Sequence, residues 1–369
     1  MTTVFQERTE RCQQALQDAG AGGLVLFPSQ NMYYLSGFTD EPMERQLFLF
    51  VPTEGEPVFV LPEMYDDHAR DDSWVTDVRT WADGEDPLEL VDAAFSDLDF
   101  GGRVLVDDQM WALFSQDLRT VLPDAEWGLA SEVLDDLRMR KDEHELDALT
   151  RAGEIADRVV DDVRSLGEEA IGMTETDLAA EIESRLTGYG GQGVSFDVIV
   201  GSGPNGAKPH HRHGDRTIAR GDPVVLDFGT VVEHYPSDTT RTVVFAGDPL
   251  EQFEAVYEVV LEAHHAGVDA VEPGIKAQEV DRAARAVIED AGYGEQFLHR
   301  TGHGLGLNVH ESPYIVEGND QPLEPGMVFS VEPGIYLEGE FGVRIEDIVV
   351  VTGDGVRRLN DSPRTWSPG

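Results

Sequence analysis

Lysine is almost absent from this chain. Of its 27 basic residues only Lys141, Lys208 and Lys276 are lysine, and the rest are arginine. Against them stand 72 acidic residues, leaving a formal net charge of -45 over 369 residues. A surface of that sign repels polyanions, which excludes nucleic acid and anionic membranes as partners. High net charge is often a mark of disorder. Here the acids are interspersed with apolar periodicity, and apolar residues make up 40 % of the chain, enough for real cores. The composition therefore suggests a halophilic protein from a very salty cytoplasm. At molar salt the Debye length falls to about 3 Å, so repulsion between surface carboxylates is screened.

Cysteine is scarcer still. The single Cys12 excludes an internal disulfide and fits a reducing compartment. No apolar run approaches the roughly 20 residues of a membrane helix. The opening stretch "MTTVFQERTERCQQAL" lacks the continuous apolar centre of a signal peptide. A cytoplasmic location is the expectation.

The length argues for two domains. Residues 1–132 alternate helix and strand patterns: an amphipathic start, then apolar strands "GLVLF", "QLFLFV", "PVFVL" and "RVLVD", with helical stretches at 87–98 and 111–122. This predicts an α/β domain holding one compact motif, "NMYYLSGF", and no catalytic cluster. The segment from "SEVLDDL" to "GEEA" is helical by period and spans the boundary. Residues 133–369 are predicted to be α+β, with a capped helix at 174–186, long helices at 250–272 and 277–291, and chemistry on the strands and loops between them.

Within the second domain a pattern repeats. "GDPVVLDFG" places Gly221 six residues before Asp227 and Gly229 two after it; "GMVFSVEPG" does the same with Gly326, Glu332 and Gly334. Each is followed by a turn-rich stretch and a further acid, Asp238 and Glu346 respectively. Two back-folded ribbons with two carboxylates each suggest duplicated halves facing one another.

Asp227, Glu332 and Glu346 sit inside apolar strand pattern, where solvation fails and a lone carboxylate costs several kcal/mol. A cation would compensate them. Fully extended, the chain from Asp227 to Asp238 would span about 36 Å; the turn formers Glu233 to Ser237 fold it back instead, and facing side chains then lie about 5 Å apart. Four converging carboxylates call for two divalent ions about 3.5–4 Å apart. His303, between glycines in "TGHGLGLNVH", is the expected nitrogen donor, with His310 seven residues on. Oxygen-rich ligation with one imidazole favours Mn²⁺, or Co²⁺ and Fe²⁺, and Zn²⁺ fits the same donors. Two motifs lead elsewhere and are set aside. "GSGPNG" does not open a helix as a dinucleotide loop must, and "DFG" at 227–229 has no catalytic loop to make it a kinase.

With these residues in place, the second domain resembles the pita-bread metallopeptidases, the family of Xaa-Pro dipeptidases (prolidases) and Xaa-Pro aminopeptidases. The likeness runs through "KPHHRHG", "VVLDFG", "SDTTRT", "TGHGLGLNVHESP", "MVFSVEPGIY" and "GVRIED". The first domain resembles the creatinase-type N-terminal domain. The resemblance implies a pita-bread α+β fold, two pseudo-repeated halves around a curved antiparallel sheet, and a homodimer. It implies Asp227, Asp238, His303, Glu332 and Glu346 as ligands of two metal ions. It implies His210 and His310 as substrate and transition-state histidines, and Glu332 as proton shuttle. Arg344 is read as support beside Glu346 and as part of the substrate site. The expected activity is hydrolysis of Xaa-Pro bonds in proline-containing peptides, by a hydroxide bridging the metals. Dipeptidase and aminopeptidase stay unseparated, and another hydrolase or lyase, a creatinase-like enzyme and a non-catalytic relative remain alternatives.

Overall fold

The computed structural model describes residues 3–367. The chain divides into two compact units, Met1–Arg138 and Met139–Gly369.

The first unit is a mixed six-stranded sheet flanked by helices. Its strands are β1 (Gly23–Leu26), β2 (Phe48–Pro52), β3 (Val58–Pro62), β4 (Asp77–Trp81), β5 (Arg103–Val106) and β6 (Glu126–Leu129), in the order β4-β3-β2-β1-β5-β6. Strands β1, β2 and β3 pair antiparallel, whereas β3–β4, β1–β5 and β5–β6 are parallel. The helices are α1 (Val4–Asp18), α2 (Gln30–Ser36), α3 (Asp66–Asp72), α4 (Pro87–Asp97), α5 (Ala112–Val121) and α6 (Ser131–Met139). Buried on both faces, β2 and β3 are continuous apolar runs, the pattern of a covered sheet. Phe48, Phe50, Phe95, Phe100 and Phe114 fill one side, with Phe50 meeting Phe95 edge-on at 5.2 Å, a favoured aromatic geometry. "NMYYLSGF" becomes α2, capped by the Ser29 hydroxyl.

The helical period that runs on past residue 131 is interrupted. Helix α6 ends at Met139, Arg140 forms an isolated antiparallel bridge to Met327, and α7 (Glu143–Ser165) starts afresh. The reason is local. Asp142 and Glu145 cap each other's backbone N–H groups reciprocally, which favours a new helix start over continuation. Helix α8 (Glu175–Gly188) begins with the same device between Thr174 and Asp177.

The second unit adds α9 (Phe253–Asp269) and α10 (Ala277–Asp290) to α7 and α8. Its strands are β7 (Ile199–Ser202), β8 (Val224–Phe228), β9 (Val231–Val232), β10 (Tyr235–Pro236), β11 (Thr239–Val243), β12 (Gly302–Gly304), β13 (Glu311–Ile315), β14 (Val328–Val331), β15 (Gly334–Leu337), β16 (Phe341–Arg344), β17 (Asp347–Thr352) and β18 (Gly355–Arg358). One sheet runs β11-β8-β7 and the other β13-β12-β14-β17-β18, all antiparallel.

The expected duplication has a structural counterpart. In one half β8 and β11 pair with Asp227 opposite Thr240, separated by the ribbon β9–β10. In the other, β14 and β17 pair with Val331 opposite Asp347, separated by the ribbon β15–β16. Helices α7 and α8 cover the first half through Val159, Val163, Leu178 and Ile182. Helices α9 and α10 serve the second, α9 through Val256 and Val260 and both through Val268 and Val280. Each half therefore drives its acids inward by burying the apolar residues beside them.

Candidate metal centre

Strand β8 is buried at all five positions, so Asp227 has no solvent to turn to and remains only 8 % exposed. Asp238 stands one residue before β11. Thr239 pairs with Phe228, which brings Asp238 back to the end of β8. Glu332 and Glu346 lie beyond the β14–β17 pairing, one at either end of the β15–β16 ribbon. The Glu346 backbone N–H donates to Thr240 O at 3.1 Å, tying the second half to the first. His303 lies at the middle of β12, where close passage beside β14 demands a glycine. A Cβ on Gly302 would stand 1.8 Å from Ser330 O.

These segments converge on one cavity of about 250 Å³. Among its lining residues are Asp227, Asp238, His303, Glu332, Glu346, Arg344, His210 and His310, so every site residue expected from sequence reaches it. The convergence is uneven. Donor atoms of Asp238, His303 and Glu346 all lie within 4.8 Å of one another. Glu332 Oε1 is 3.3 Å from His303 Nε2. Asp227 is drawn toward Arg344, whose Nη2 donates to Asp227 Oδ2 at 2.5 Å. The rest of the Arg344 guanidinium donates to Thr240 Oγ1 at 3.1 Å and Tyr336 Oη at 2.8 Å.

Neighbouring hydroxyls orient the acids. Thr240 Oγ1 donates to Glu346 Oε2 at 2.7 Å. Ser330 Oγ accepts the His303 N–H at 3.0 Å and donates to Glu332 Oε1 at 3.1 Å. One hydroxyl thus fixes an imidazole-bearing backbone and a carboxylate together.

Charge crowding shows in the protonation. Burial, then the negative neighbours Glu346 and Asp227, push the Asp238 carboxyl well above the usual range. Burial followed by Glu332 and Asp227 does the same to Glu346. Burial lifts Glu332 to about 7 against the pull of Arg344. His303 moves the opposite way, to about 3, through burial and then His310, so its ring is neutral and able to ligate over the physiological range. Without a cation the carboxyl groups must hold protons instead.

The donor set fits divalent metal. Among the described residues, Asp227 Oδ1 and Asp238 Oδ1 are buried with no hydrogen-bond partner, a costly condition for acceptor oxygens unless a cation meets them. Four carboxylates and one neutral imidazole are hard and borderline donors, suited to Mn²⁺, Fe²⁺, Co²⁺ or Zn²⁺.

Phe196, His299 and Arg300, which no sequence motif singles out, also line the cavity. His299 Nδ1 sits 2.8 Å from Arg300 O, so it must donate there; that leaves Nε2 to accept from Tyr336 Oη at 2.8 Å. Burial and then Arg344 hold His299 down near 4. The Arg300 guanidinium lies over the Tyr314 ring, 4.3 Å from its centroid, a cation–π contact. A clue was present in "HRTGH", where His299 precedes His303 by four residues; the same spacing outside a helix carries no fixed geometry.

Comparison with known proteins gives the family. Residues 147–353 match the model of metallopeptidase family M24, and residues 8–140 match the creatinase/prolidase N-terminal domain. A probable dipeptidase PepE of Mycobacterium tuberculosis is 44 % identical, over 98 % of this chain and 95 % of its own. The Xaa-Pro dipeptidase of Lactobacillus delbrueckii subsp. lactis is 38 % identical, over 94 % of this chain and 95 % of its own. The crystal structure of recombinant prolidase from Thermococcus sibiricus superposes with a TM-score of 0.93 at 38 % identity, covering 100 % of both chains. Sequence, cavity and fold therefore agree, and the chain belongs to metallopeptidase family M24, with a creatinase/prolidase-type domain at its N-terminal end.

Proposed function

We propose that the protein is an Xaa-Pro dipeptidase, hydrolysing dipeptides with proline in second position. The observation that carries this reading is the joint lining of one small cavity by the five metal donors, three histidines and Arg300. About 250 Å³ is at the small end for ligand cavities, which suits a dipeptide better than a long peptide.

Asp227, Asp238, His303, Glu332 and Glu346 are the residues to hold two divalent ions, with Mn²⁺ the first choice by donor type. Bound there, such a pair would supply Lewis acidity and make water nucleophilic at neutral pH. The side chains around it do the rest. His310 is kept neutral by burial and then Arg300, so it offers an N–H to the developing oxyanion and no competing charge. His210, which also lines the cavity, orients the peptide. Glu332 passes a proton from the attacking water to the proline nitrogen; that nitrogen has no hydrogen of its own in the substrate and must gain one to leave. Arg344 holds Asp227 and Tyr336 in place. Arg300 is the cation for the proline carboxylate, which separates a dipeptidase from an aminopeptidase. The dipeptidases named among the relatives support the same choice. A homodimer in a salty cytoplasm completes the proposal, resting on family likeness and on the -45 net charge.

The test is hydrolysis of Ala-Pro, Ala-Pro-amide and Ala-Pro-Ala by the Mn²⁺-loaded enzyme in high KCl. The expected result is rapid cleavage of Ala-Pro alone, loss of activity in Asp238→Asn, and a raised KM for Ala-Pro in Arg300→Leu. Faster cleavage of Ala-Pro-Ala than of Ala-Pro would overturn the dipeptidase assignment. Wild-type activity in Asp238→Asn would overturn the site.

A further inference from the structure

We propose that Lys141 is a positioning residue for His310, acting through Glu311. The inference rests on the peptidase reading, which gives His310 its role at the substrate. Lys141 falls in the short stretch between the two family segments, 8–140 and 147–353, yet its side chain is 0 % exposed.

The ammonium meets one carboxylate. Lys141 Nζ lies 2.7 Å from Glu311 Oε1, and the Glu311 side chain is only 10 % exposed. The other oxygen, Oε2, accepts the Asn308 N–H at 3.2 Å. Gly306 N–H donates to Asn308 O at 3.1 Å, and Glu311 pairs with Gly304 across the β12–β13 ladder. Residues 305–310 are therefore an arc wound round a single carboxylate. The winding is tight. A Cβ on Gly306 would stand 2.1 Å from Glu311 Oε1 and 2.9 Å from Lys141 Nζ. His310 is the last residue of that arc, its ring 4.0 Å from that of His303.

The backbone of Lys141 is fixed to a different catalytic segment. Its N–H donates to Gly326 O at 2.9 Å, and Arg140 bridges Met327. Those residues lead directly into β14 and on to Glu332. One residue thus spans the segment carrying Glu332 and the loop carrying His310, and sets the distance between them. The choice of amino acid agrees. In a chain whose basic residues are overwhelmingly arginine, this position keeps lysine, a compact point charge where a planar guanidinium would press on Gly306.

The decisive variant is Lys141→Arg, which preserves the charge and changes only the shape pressed against Gly306. In the Mn²⁺-loaded enzyme its kcat on Ala-Pro should fall about 100-fold, the cost of a displacement near 1 Å, with little change in thermal midpoint. In the metal-free protein, labelled with ¹⁵N-histidine, the His310 imidazole resonance (identified by its loss in His310→Gln) should move while that of buried His264 stays. Lys141→Met leaves the Glu311 carboxylate uncompensated; adding Glu311→Gln neutralises it, keeps an acceptor for Asn308 N–H, and should recover activity about tenfold. Should Lys141→Met fail to fold, Lys141→Arg alone decides. A folded Lys141→Arg with wild-type kcat and an unmoved His310 resonance would overturn the proposal. A wild-type enzyme that cleaves no proline dipeptide would defeat the peptidase reading instead, and the resonance shift would still report the positioning.

Discussion

Replacing Glu332 by glutamine should stabilise the metal-free protein and destabilise the metal-loaded one. The Glu332 carboxyl rises from 4.5 to about 7 on folding. For an acid shifted upward, the folded state binds the proton more tightly than the unfolded state. Stability is therefore greatest below pH 4.5 and is lost as pH rises through about 7. At 1.36 kcal/mol per pH unit, the full penalty at pH 8 is about 3 kcal/mol. Glutamine carries no charge at any pH and can still accept from Ser330 Oγ, so Glu332→Gln escapes the penalty. Metal reverses the sign. A cation favours the ionised form, and losing one carboxylate ligand weakens its affinity. A hundredfold loss would forfeit about 2.7 kcal/mol of ligand stabilisation. Urea unfolding at fixed KCl, from pH 4.5 to 8.5 with chelator or with Mn²⁺, separates the two cases. Wild type and variant should coincide near pH 4.5 and diverge by about 3 kcal/mol at pH 8 without metal. Parallel pH profiles in the metal-free state would show that Glu332 is not held protonated, and the crowding argument would fall.

Other perturbations test other parts of the site. Gly302→Ala forces β12 and β14 apart, because the new Cβ would meet Ser330 O at 1.8 Å; a stability loss of about 1–3 kcal/mol should accompany a weaker Mn²⁺ affinity, measured by titration calorimetry. Arg344→Met leaves Asp227 unpaired and should cost about 3–5 kcal/mol without metal, and visibly less with Mn²⁺ bound, as read from urea midpoints. Mn²⁺ binding must displace protons from Asp238, Glu332 and Glu346, so affinity should climb from pH 6 to 8 with proton release detectable in buffers of different ionisation enthalpy. The thermal midpoint should rise steeply from dilute buffer to molar KCl as charge repulsion is screened; a flat profile would remove the halophilic reading.

Much of this architecture was legible because burial and charge conflict openly in the sequence. Asp227 after Val224, Val225 and Leu226 can be placed only where something compensates it, and the second acid of each ribbon follows from the turns between. Strands such as β2 and β3 declare themselves as unbroken apolar runs. What escaped depends on long-range packing. Arg344 was read as a neighbour of Glu346 in sequence, whereas its guanidinium reaches Asp227, 117 residues away. His299 and Arg300 lie in a segment without periodicity, and with Tyr336 of β15 they acquire meaning only through the tautomer and hydroxyl chain that links them. The break between α6 and α7 was missed because helical period persists across it, while the competing bridge from Arg140 to Met327 is invisible in a local window. Asp347 was overlooked for the opposite reason. It sits beside Glu346 but turns to the back, wholly buried against Arg241 and Arg364.

The donors come from places far apart along the polypeptide, two from the β8–β11 half, three from the β12–β17 half, with Glu346 N–H bonded across to Thr240. No nascent fragment ending before residue 346 can own the complete set. Ion capture is accordingly a terminal event of maturation, a seal applied after both halves have docked. Divalent metal should therefore select finished molecules over partial ones during synthesis.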